Sequence, residues 1–294
     1  MSCAETSRRR FLTGAAAAIA AAAMPASAAR RSATDLVPLG RSGVKVTRLA
    51  FGTGTFGGRI QRELGQEQFT RLVRYAYERG IRFFETADSY RGMPQMLAAA
   101  LKGIPRDSYQ LMTKMRWRDE ANPRATIDRF RKDLNSEYFD VLLMHCVRTP
   151  AWREELAHIQ DEFSEAKQRK ILKAHGASCH GLLPLRAFPD NQWLDVALLR
   201  VNHDGTRMDT IQSESNEKGD VPRVTETIRR VHGQGTGVIG MKLIGEGRFT
   251  KPEQRDAALR YVMGLGTVDA VTIGFKSTAE IDEAIGRINT HLNA

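Results

Sequence analysis

Residues 83–90 read FFETADSY, an apolar run that stops in two carboxylates, two hydroxyls and a phenol. A short apolar run bounded by polar residues is typical of a buried strand in a parallel sheet, which opens into a loop at its carboxyl end. The stretch therefore predicts a strand that delivers Glu85 and Tyr90 to one edge of a sheet.

The same alternation of β-rich and amphipathic runs continues along most of the chain. The strand candidates are 46–53, 82–86, 109–115, 140–146, 172–178, 196–202, 237–243 and 270–275. Between them, 66–79, 123–134, 152–168, 221–231 and 251–263 carry apolar residues at helical spacing. Eight strands that alternate with helices predict an α/β protein with a (β/α)8 TIM barrel. An open doubly wound sheet stays the alternative, because alternation alone does not prove closure.

An additional segment, 37–46 (VPLGRSGVKV), precedes the first predicted barrel strand. Gly40 and Gly43 flank a turn between two short extended runs, which predicts an N-terminal hairpin. Such a hairpin would cap the N-terminal mouth of the barrel. The sequence shows no internal repeat or interdomain linker after residue 35, so we predict one barrel domain over residues 36–291.

The N-terminus has the three parts of an export signal in order. Three arginines at 8–10, an alanine-rich run at 15–23 and an A-x-A cleavage site at 26–28 follow one another. An arginine pair before Phe-Leu is the twin-arginine form of this signal. The apolar run is shorter than the ~20 residues that a membrane-spanning helix needs. We therefore predict a signal peptide over residues 1–28, recognition by the twin-arginine translocation machinery, and a periplasmic or secreted mature chain without stable membrane insertion.

The formal net charge is +10, and removal of residues 1–28 lowers it to +8. The basic residues are dispersed among acids, which indicates a solvated surface rather than a nucleic-acid-binding stripe. Cys146 and Cys179 remain after removal of the signal and have no metal-ligand spacing. A disulfide between them is an open alternative, and two buried thiols are the preferred expectation.

Polar residues occupy the predicted carboxyl ends of successive strands, where the active sites of such barrels lie. They are Glu85 and Tyr90 after the second strand, Lys114 in the third, His145 in the fourth and Ser178 in the fifth. Lys114 in LMTKM and His145 in LLMHC each interrupt an apolar strand, where burial without a partner would cost a few kcal/mol. The sequence therefore predicts that these side chains meet at one rim.

The chain resembles the aldo-keto reductases over about residues 36–290. The family's acid-Thr-Ala-x-x-Tyr motif is matched by ETADSY at 85–90, and its opening is similar to PLGRSGVKVTRLAFGTGTFGG at 38–58. Two further stretches, GVIGMKLIGEG at 237–247 and AVTIGFKSTAEIDEAI at 270–285, are similar to its seventh and eighth strands. The motifs RVN and MK…GEG are most similar to a bacterial subgroup that often carries a C-terminal iron–sulfur module. No cysteine cluster follows Phe275, so the module itself is not expected in this sequence.

The resemblance implies a catalytic tetrad of Glu85, Tyr90, Lys114 and His145. Tyr90 would act as general acid or base on a carbonyl or alcohol substrate, and His145 would orient the substrate oxygen. An unperturbed phenol has a pKa of about 10, which the ammonium of Lys114 would lower. Glu85 would pair with Lys114. The family usually has Asp at this position, and the extra methylene adds about 1.5 Å of reach.

The resemblance also implies NADP(H) as the cofactor, with no metal. The residues implied in cofactor binding are Ser178, Asn202, Gly274, Phe275, Lys276, Ser277 and Glu280. Lys276 precedes a predicted helix, where it would meet the 2′-phosphate. Several family positions are altered, with Cys179, Leu198, Met241 and Ala284 in place of the usual residues.

Two other functions stay open from the sequence. The Tyr–Lys–His group could transfer protons without net redox, as in an exported lyase or epimerase on the same barrel. A periplasmic binding protein could keep the pocket without chemistry. Retention or turnover of a nicotinamide cofactor separates both of these from a reductase.

Overall fold

The predicted strands form a barrel that closes. The computed structural model describes residues 30–117, 121–211 and 217–294. The barrel strands are β3 (Leu49–Gly52), β4 (Phe83–Glu85), β5 (Gln110–Arg116), β6 (Phe139–Val147), β7 (Leu172–Cys179), β8 (Val196–Arg200), β9 (Gly237–Met241) and β10 (Ala270–Gly274). All neighbours are parallel, and β10 pairs with β3 to complete the ring. The closed barrel is confirmed, and the open sheet is wrong.

Helices cover the outside of the barrel. They are α1 (Arg59–Glu63), α2 (Gly65–Glu78), α3 (Met93–Leu101), α4 (Pro123–Asp133), α5 (Trp152–Glu155), α6 (Ala157–Gln168), α7 (Leu182–Leu185), α8 (Val221–Gly233), α9 (Pro252–Gly264) and α10 (Thr278–Leu292). The segment predicted as one helix over 152–168 is divided at Leu156, whose ψ of 23° departs from helical geometry. Asn122, Asp220 and Ser277 accept backbone N–H groups at the starts of α4, α8 and α10.

The predicted N-terminal hairpin is confirmed. Its strands β1 (Leu36–Pro38) and β2 (Lys45–Thr47) are antiparallel. The strand predicted over 46–53 is therefore divided, because Lys45–Thr47 pairs in the hairpin and the barrel strand begins at Leu49. The hairpin's Val37 and Val46 join one buried apolar cluster with barrel residues such as Phe83. Leu39, which follows β1, packs closely against Gly237, the first residue of β9: a Cβ added to Gly237 would lie 2.8 Å from the Cβ of Leu39. The hairpin therefore lies at the amino ends of the barrel strands.

The apolar core has two layers, one inside the barrel and one between the strands and the helices. Because the inner layer and the hairpin fill the amino half of the barrel, polar side chains are left to the carboxyl rim. Residues 31–294 form one compact unit. The predicted signal peptide, residues 1–28, lies outside the described residues, and its boundary stays a prediction.

Candidate active site

Glu85 and Lys114 form a buried ion pair at the carboxyl ends of β4 and β5. Their side chains are 5% and 1% exposed. Lys114 lies two residues beyond Met112 on the same strand face, and Met112 belongs to the inner apolar layer. The ammonium also donates to the Thr86 carbonyl, with an Nζ–O distance of 2.8 Å. These two acceptors hold the lysine charge inside the barrel, as the sequence predicted for this pair.

Space for the longer acid comes from a glycine on the neighbouring strand. A Cβ on Gly52 would lie 3.1 Å from the second carboxylate oxygen of Glu85 and 2.6 Å from the Thr272 hydroxyl oxygen. That hydroxyl donates to the same carboxylate oxygen over 3.3 Å. Glycine at position 52 thus accommodates the extra methylene of Glu85 without displacing Lys114.

Tyr90 lies beside this pair at the end of the loop after β4. The Nζ atom of Lys114 is 4.8 Å from the centroid of the Tyr90 ring. The phenol also closely approaches Gly54, where an added Cβ would lie 2.5 Å from the hydroxyl oxygen. Glycine at position 54 therefore leaves room for the Tyr90 hydroxyl on the pocket side of the loop.

The expected lowering of the Tyr90 pKa is wrong for this structure. Burial raises the pKa of Tyr90 well above its ordinary value, and the nearby Glu85 carboxylate raises it further. The physical reason is that burial disfavours the charged phenolate and the negative charge of Glu85 disfavours it further. Burial likewise lowers the pKa of Lys114, and Glu85 opposes that change. Tyr90 is thus a protonated hydrogen-bond donor at neutral pH.

His145 lies at the end of β6 with its ring 5.5 Å from the Tyr90 ring, in an edge-to-face arrangement. Its Nδ1 is 2.9 Å from the Ser89 hydroxyl oxygen. Burial lowers the pKa of His145 well below its ordinary value, and the charge of Lys114 adds to this effect. The ring is therefore neutral at pH 7. If Ser89 donates to Nδ1, the imidazole hydrogen is on Nε2, from which it can be donated to a substrate oxygen.

Ser178 and Asn202 are both used inside the protein rather than on the pocket wall. The Ser178 hydroxyl accepts the Cys146 N–H over 2.8 Å, at a register shift between β6 and β7. The Asn202 amide donates to the Thr206 and Lys242 carbonyls, and its oxygen accepts the Asp204 and Gly205 N–H groups. Their predicted cofactor contacts stay untested, and the structure shows them shaping two loops.

The other predicted cofactor residues gather around α10. Gly274 ends β10, and Phe275 is buried with its ring 5.7 Å from that of Phe51. Ser277 is the N-terminal cap of α10, and its hydroxyl accepts the Glu280 N–H over 3.3 Å. Lys276 and Glu280 line the same cavity as Tyr90.

This cavity has a volume of about 550 Å³ and extends from the tetrad to α10. At one end are Glu85 and Tyr90, and at the other are Lys276, Glu280, Glu283 and Arg287. Apolar side chains of β8, β9 and the following loop lie between the two ends, among them Leu198, Met241 and Ile244. The volume is within the ~300–1,000 Å³ that is usual for small-molecule sites.

Two ion-pair groups in this cavity were not predicted from the sequence. Glu246 pairs with Lys242 and with Arg207, the latter over 2.8 Å. Glu283 accepts both Arg255 and Arg287, at 2.9 Å and 2.8 Å. Arg207 and Arg255 are distant in sequence from their partners, whereas Arg287 follows Glu283 by one turn of α10. Lys242 and Glu246 both have positive φ angles. In the sequence, the GEG motif at 245–247 indicates a tight turn, but it does not indicate that Glu246 pairs with Lys242 and Arg207.

Cys146 and Cys179 are not joined by a disulfide. Cys179 is buried and Cys146 is partly exposed, so the expectation of two buried thiols holds for one of them. Among the described residues, no group of three or more His, Cys, Asp or Glu side chains is placed to hold a metal ion. No helix in the described part of the chain is both long and apolar enough to cross a membrane.

The residues around the cavity fit a nicotinamide dinucleotide. The cavity extends from Glu85 and Tyr90 to the charged residues of α9 and α10. Glycines at 52, 54 and 274 leave the backbone exposed at three points of its wall. A Cβ on Gly274 would lie 2.3 Å from the Thr55 hydroxyl oxygen, so the backbone approaches closely at this point. Lys242, Arg255 and Arg287 line the wall, each paired with a carboxylate with which a diphosphate would compete for the cation.

Glu85, Tyr90, Lys114 and His145 lie together at the carboxyl ends of the strands of a closed parallel barrel. This is where the active sites of barrel enzymes lie. More narrowly, a profile of the Aldo/keto reductase family matches residues 48–263. Since this match covers well over half of the chain, the protein belongs to the aldo/keto reductase family, which is a family of oxidoreductases.

Two plant proteins are similar to this chain. "Probable aldo-keto reductase 1" of Glycine max is 30% identical over 163 residues, a match that spans 47% of each protein. The alignment therefore covers less than half the length of that relative. "L-galactose dehydrogenase" of Arabidopsis thaliana is 23% identical over 292 residues, covering 86% of this chain and 88% of the plant protein.

Solved structures have the same fold. A Pseudomonas aeruginosa protein described as an aldo-keto reductase superposes with a TM-score of 0.69 at 21% identity, covering 90% of this chain and 98% of its own. The holo form of an aldo-keto reductase from Bacillus halodurans gives a TM-score of 0.66 at 18% identity, with coverage of 86% and 93%. At these identities the likeness supports the fold alone.

Proposed function

We propose that this protein transfers hydride between a nicotinamide cofactor and a carbonyl or alcohol substrate, with Tyr90 as general acid or base. The observation that carries the proposal is the buried Glu85–Lys114 pair next to the Tyr90 phenol and His145, with Glu85 and Tyr90 on the wall of a cavity large enough for a cofactor. Family membership supports the oxidoreductase class.

Each residue of the tetrad has a separate task in this proposal. The nicotinamide group, when bound, supplies the hydride. Tyr90 donates its proton to the oxygen of the reduced carbonyl, so the C=O double bond becomes a C–O single bond with a new C–H and a new O–H bond. His145 donates from Nε2 to the same oxygen and positions it, while Lys114 stabilises the phenolate that remains. Glu85 keeps Lys114 within reach of the ring.

A cofactor and turnover assay tests the proposal. NADH or NADPH is mixed with the purified protein and a panel of aldehydes and ketones, and the loss of absorbance is followed. The reverse assay, with oxidised cofactor, includes L-galactose, because one relative is named as a dehydrogenase of that sugar. Consumption of cofactor supports the proposal. Turnover of a sugar without any cofactor supports a lyase or epimerase, and binding without turnover supports a binding protein.

The raised pKa of Tyr90 predicts an asymmetric pH dependence. Because the pKa lies above its ordinary value of about 10, the phenol stays protonated between about pH 6 and pH 9, and carbonyl reduction should change little with pH there. Alcohol oxidation needs the phenolate and should rise across the same range. Steady-state kcat in both directions measures this. A reduction rate that falls with an apparent pKa of about 7 would contradict the assignment of Tyr90 as the acid.

We also propose export of the folded protein by the twin-arginine route, supported by residues 8–10 and the segments that follow them. Replacing Arg8 and Arg9 together by lysine should leave the protein in the cytoplasm, because the arginine pair is the part of the signal that the receptor reads. Fractionation of cells that express each version measures the outcome. Equal periplasmic amounts of both versions would contradict the export route.

A further inference from the structure

The end of the cavity formed by α10 contains an acid where a phosphate group would need a cation. Glu280 accepts the backbone N–H of Lys276 over 2.8 Å. Its other carboxylate oxygen is 3.9 Å from the Lys276 ammonium nitrogen. Glu280 thus accepts the backbone N–H of Lys276 and forms a longer, solvent-exposed ion pair with its ammonium.

The two other cations at this end are also paired with acids. Arg255 contacts both oxygens of Glu283, at 2.9 Å and 3.1 Å. Arg287 donates to Glu283 and to Asp256, each at 2.8 Å. One backbone N–H at the helix N-terminus is also occupied, since Ser277 accepts the Glu280 N–H. An added phosphate would thus displace carboxylates rather than enter a group of uncompensated cations.

With a nicotinamide ring at Tyr90, the adenosine half of the cofactor would lie toward the far end of the cavity, near Lys276 and Glu280. NADP(H) differs from NAD(H) by a 2′-phosphate on that half, which carries about −1.5 to −2 charges at pH 7. Like charges brought together in an interface oppose binding. A free ribose instead offers two hydroxyl donors, and a carboxylate accepts two hydrogen bonds. Carboxylates recognise the unphosphorylated ribose in this way in dinucleotide-binding folds.

We infer that Glu280 makes this protein selective for NAD(H) over NADP(H), by accepting the adenosine ribose hydroxyls and repelling a 2′-phosphate. The inference rests on the proposed nicotinamide-dependent function and refines it. It is an alternative to the sequence-based assignment of Lys276 as the 2′-phosphate contact, because the Glu280 carboxylate lies beside Lys276. Lys276 then serves to position the Glu280 carboxylate.

Binding measurements on the purified protein test the inference without relying on activity. NADH and NADPH are each titrated in a calorimeter against the parent, Glu280→Gln and the control Glu253→Gln. Glu253 is an exposed acid in the first turn of α9 and does not line the cavity. We expect the parent to bind NADH at least about tenfold more tightly than NADPH. Glu280→Gln should reduce this ratio by about tenfold, mainly by strengthening NADPH, and the control should keep it.

The outcomes separate the inference from the proposed function. Tighter binding of NADPH by the parent, or a selective loss of NADPH binding in Lys276→Ala, would overturn the inference and leave hydride transfer standing. A parent preference for NADH that Glu280→Gln does not change would overturn the role of Glu280. Binding of neither cofactor would overturn the proposed function itself. Thermal unfolding of each variant shows whether a change in affinity reflects a change in folding.

Discussion

Replacing Tyr90 by phenylalanine is expected to lower the rate of carbonyl reduction by about 10²–10⁴-fold and to leave cofactor affinity nearly unchanged. The substitution removes the hydroxyl that donates the proton and keeps the ring that contacts Lys114 and His145. Because the Tyr90 phenol of the parent is protonated at neutral pH, the substitution removes the form of the side chain that donates the proton. Single-turnover reduction at saturating cofactor, together with cofactor titration, measures the two effects separately.

Tyr77→Phe is a matched control for this variant. Tyr77 lies on α2, and its hydroxyl is 3.0 Å from the Ser108 hydroxyl oxygen. The control removes an equivalent hydroxyl without altering the cavity, and it should retain the parent rate. If Tyr90→Phe reduces carbonyls as fast as this control, then Tyr90 is not the proton donor and the proposed mechanism fails.

The barrel could be predicted because its strands differ from its helices in the period of their apolar residues. The tetrad could also be predicted, since Lys114 and His145 interrupt apolar strands at their carboxyl ends and Glu85 and Tyr90 share one motif. Position along a strand is enough to place such residues at a common rim. The family resemblance then suggested their separate roles in proton transfer.

Features that depend on contacts between distant loops could not be predicted in the same way. Asn202 is part of a motif similar to the family's, yet its amide is consumed by the turn that follows β8. The pairing of Glu280 with Lys276 depends on side-chain rotamers at the start of α10. The raised pKa of Tyr90 comes from burial and from nearby acidic groups such as Glu85, so the presence of Lys114 in the sequence did not decide its direction. Such contacts, and the pKa shifts that depend on them, become visible only in the three-dimensional structure.

Replacing Glu85 by glutamine is expected to destabilise the fold by about 3–5 kcal/mol, because it leaves the ammonium of Lys114 buried without a charged partner. The remaining acceptor is the Thr86 carbonyl. Carbonyl reduction should fall as well, since Lys114 is no longer held beside the Tyr90 ring. Chemical denaturation gives the free energy of unfolding, and the turnover assay gives the rate.

Glu85→Asp is the matched control, because it keeps the charge and shortens the side chain by one methylene. It should lose much less stability than Glu85→Gln, since buried volume changes of this size usually cost less than about 1.5 kcal/mol when the pocket relaxes. Equal losses in the two variants would show that the side-chain length of Glu85 matters rather than its charge.

The pH dependence of stability distinguishes an unpaired lysine from a general packing defect in Glu85→Gln. Burial already lowers the pKa of Lys114 in the parent against the opposing effect of Glu85, so removal of Glu85 should lower it further. With a folded pKa below the unfolded value of about 10.4, unfolding takes up a proton at pH values between the two. Stability therefore falls as the pH decreases through this window, and the destabilisation of Glu85→Gln should be smaller near pH 10 than near pH 7.

Lys114→Met in the Glu85→Gln background removes the buried charge and should recover stability without recovering the rate of reduction. A destabilisation that is independent of pH and is not relieved by Lys114→Met would show that the lysine charge is not what Glu85 neutralises.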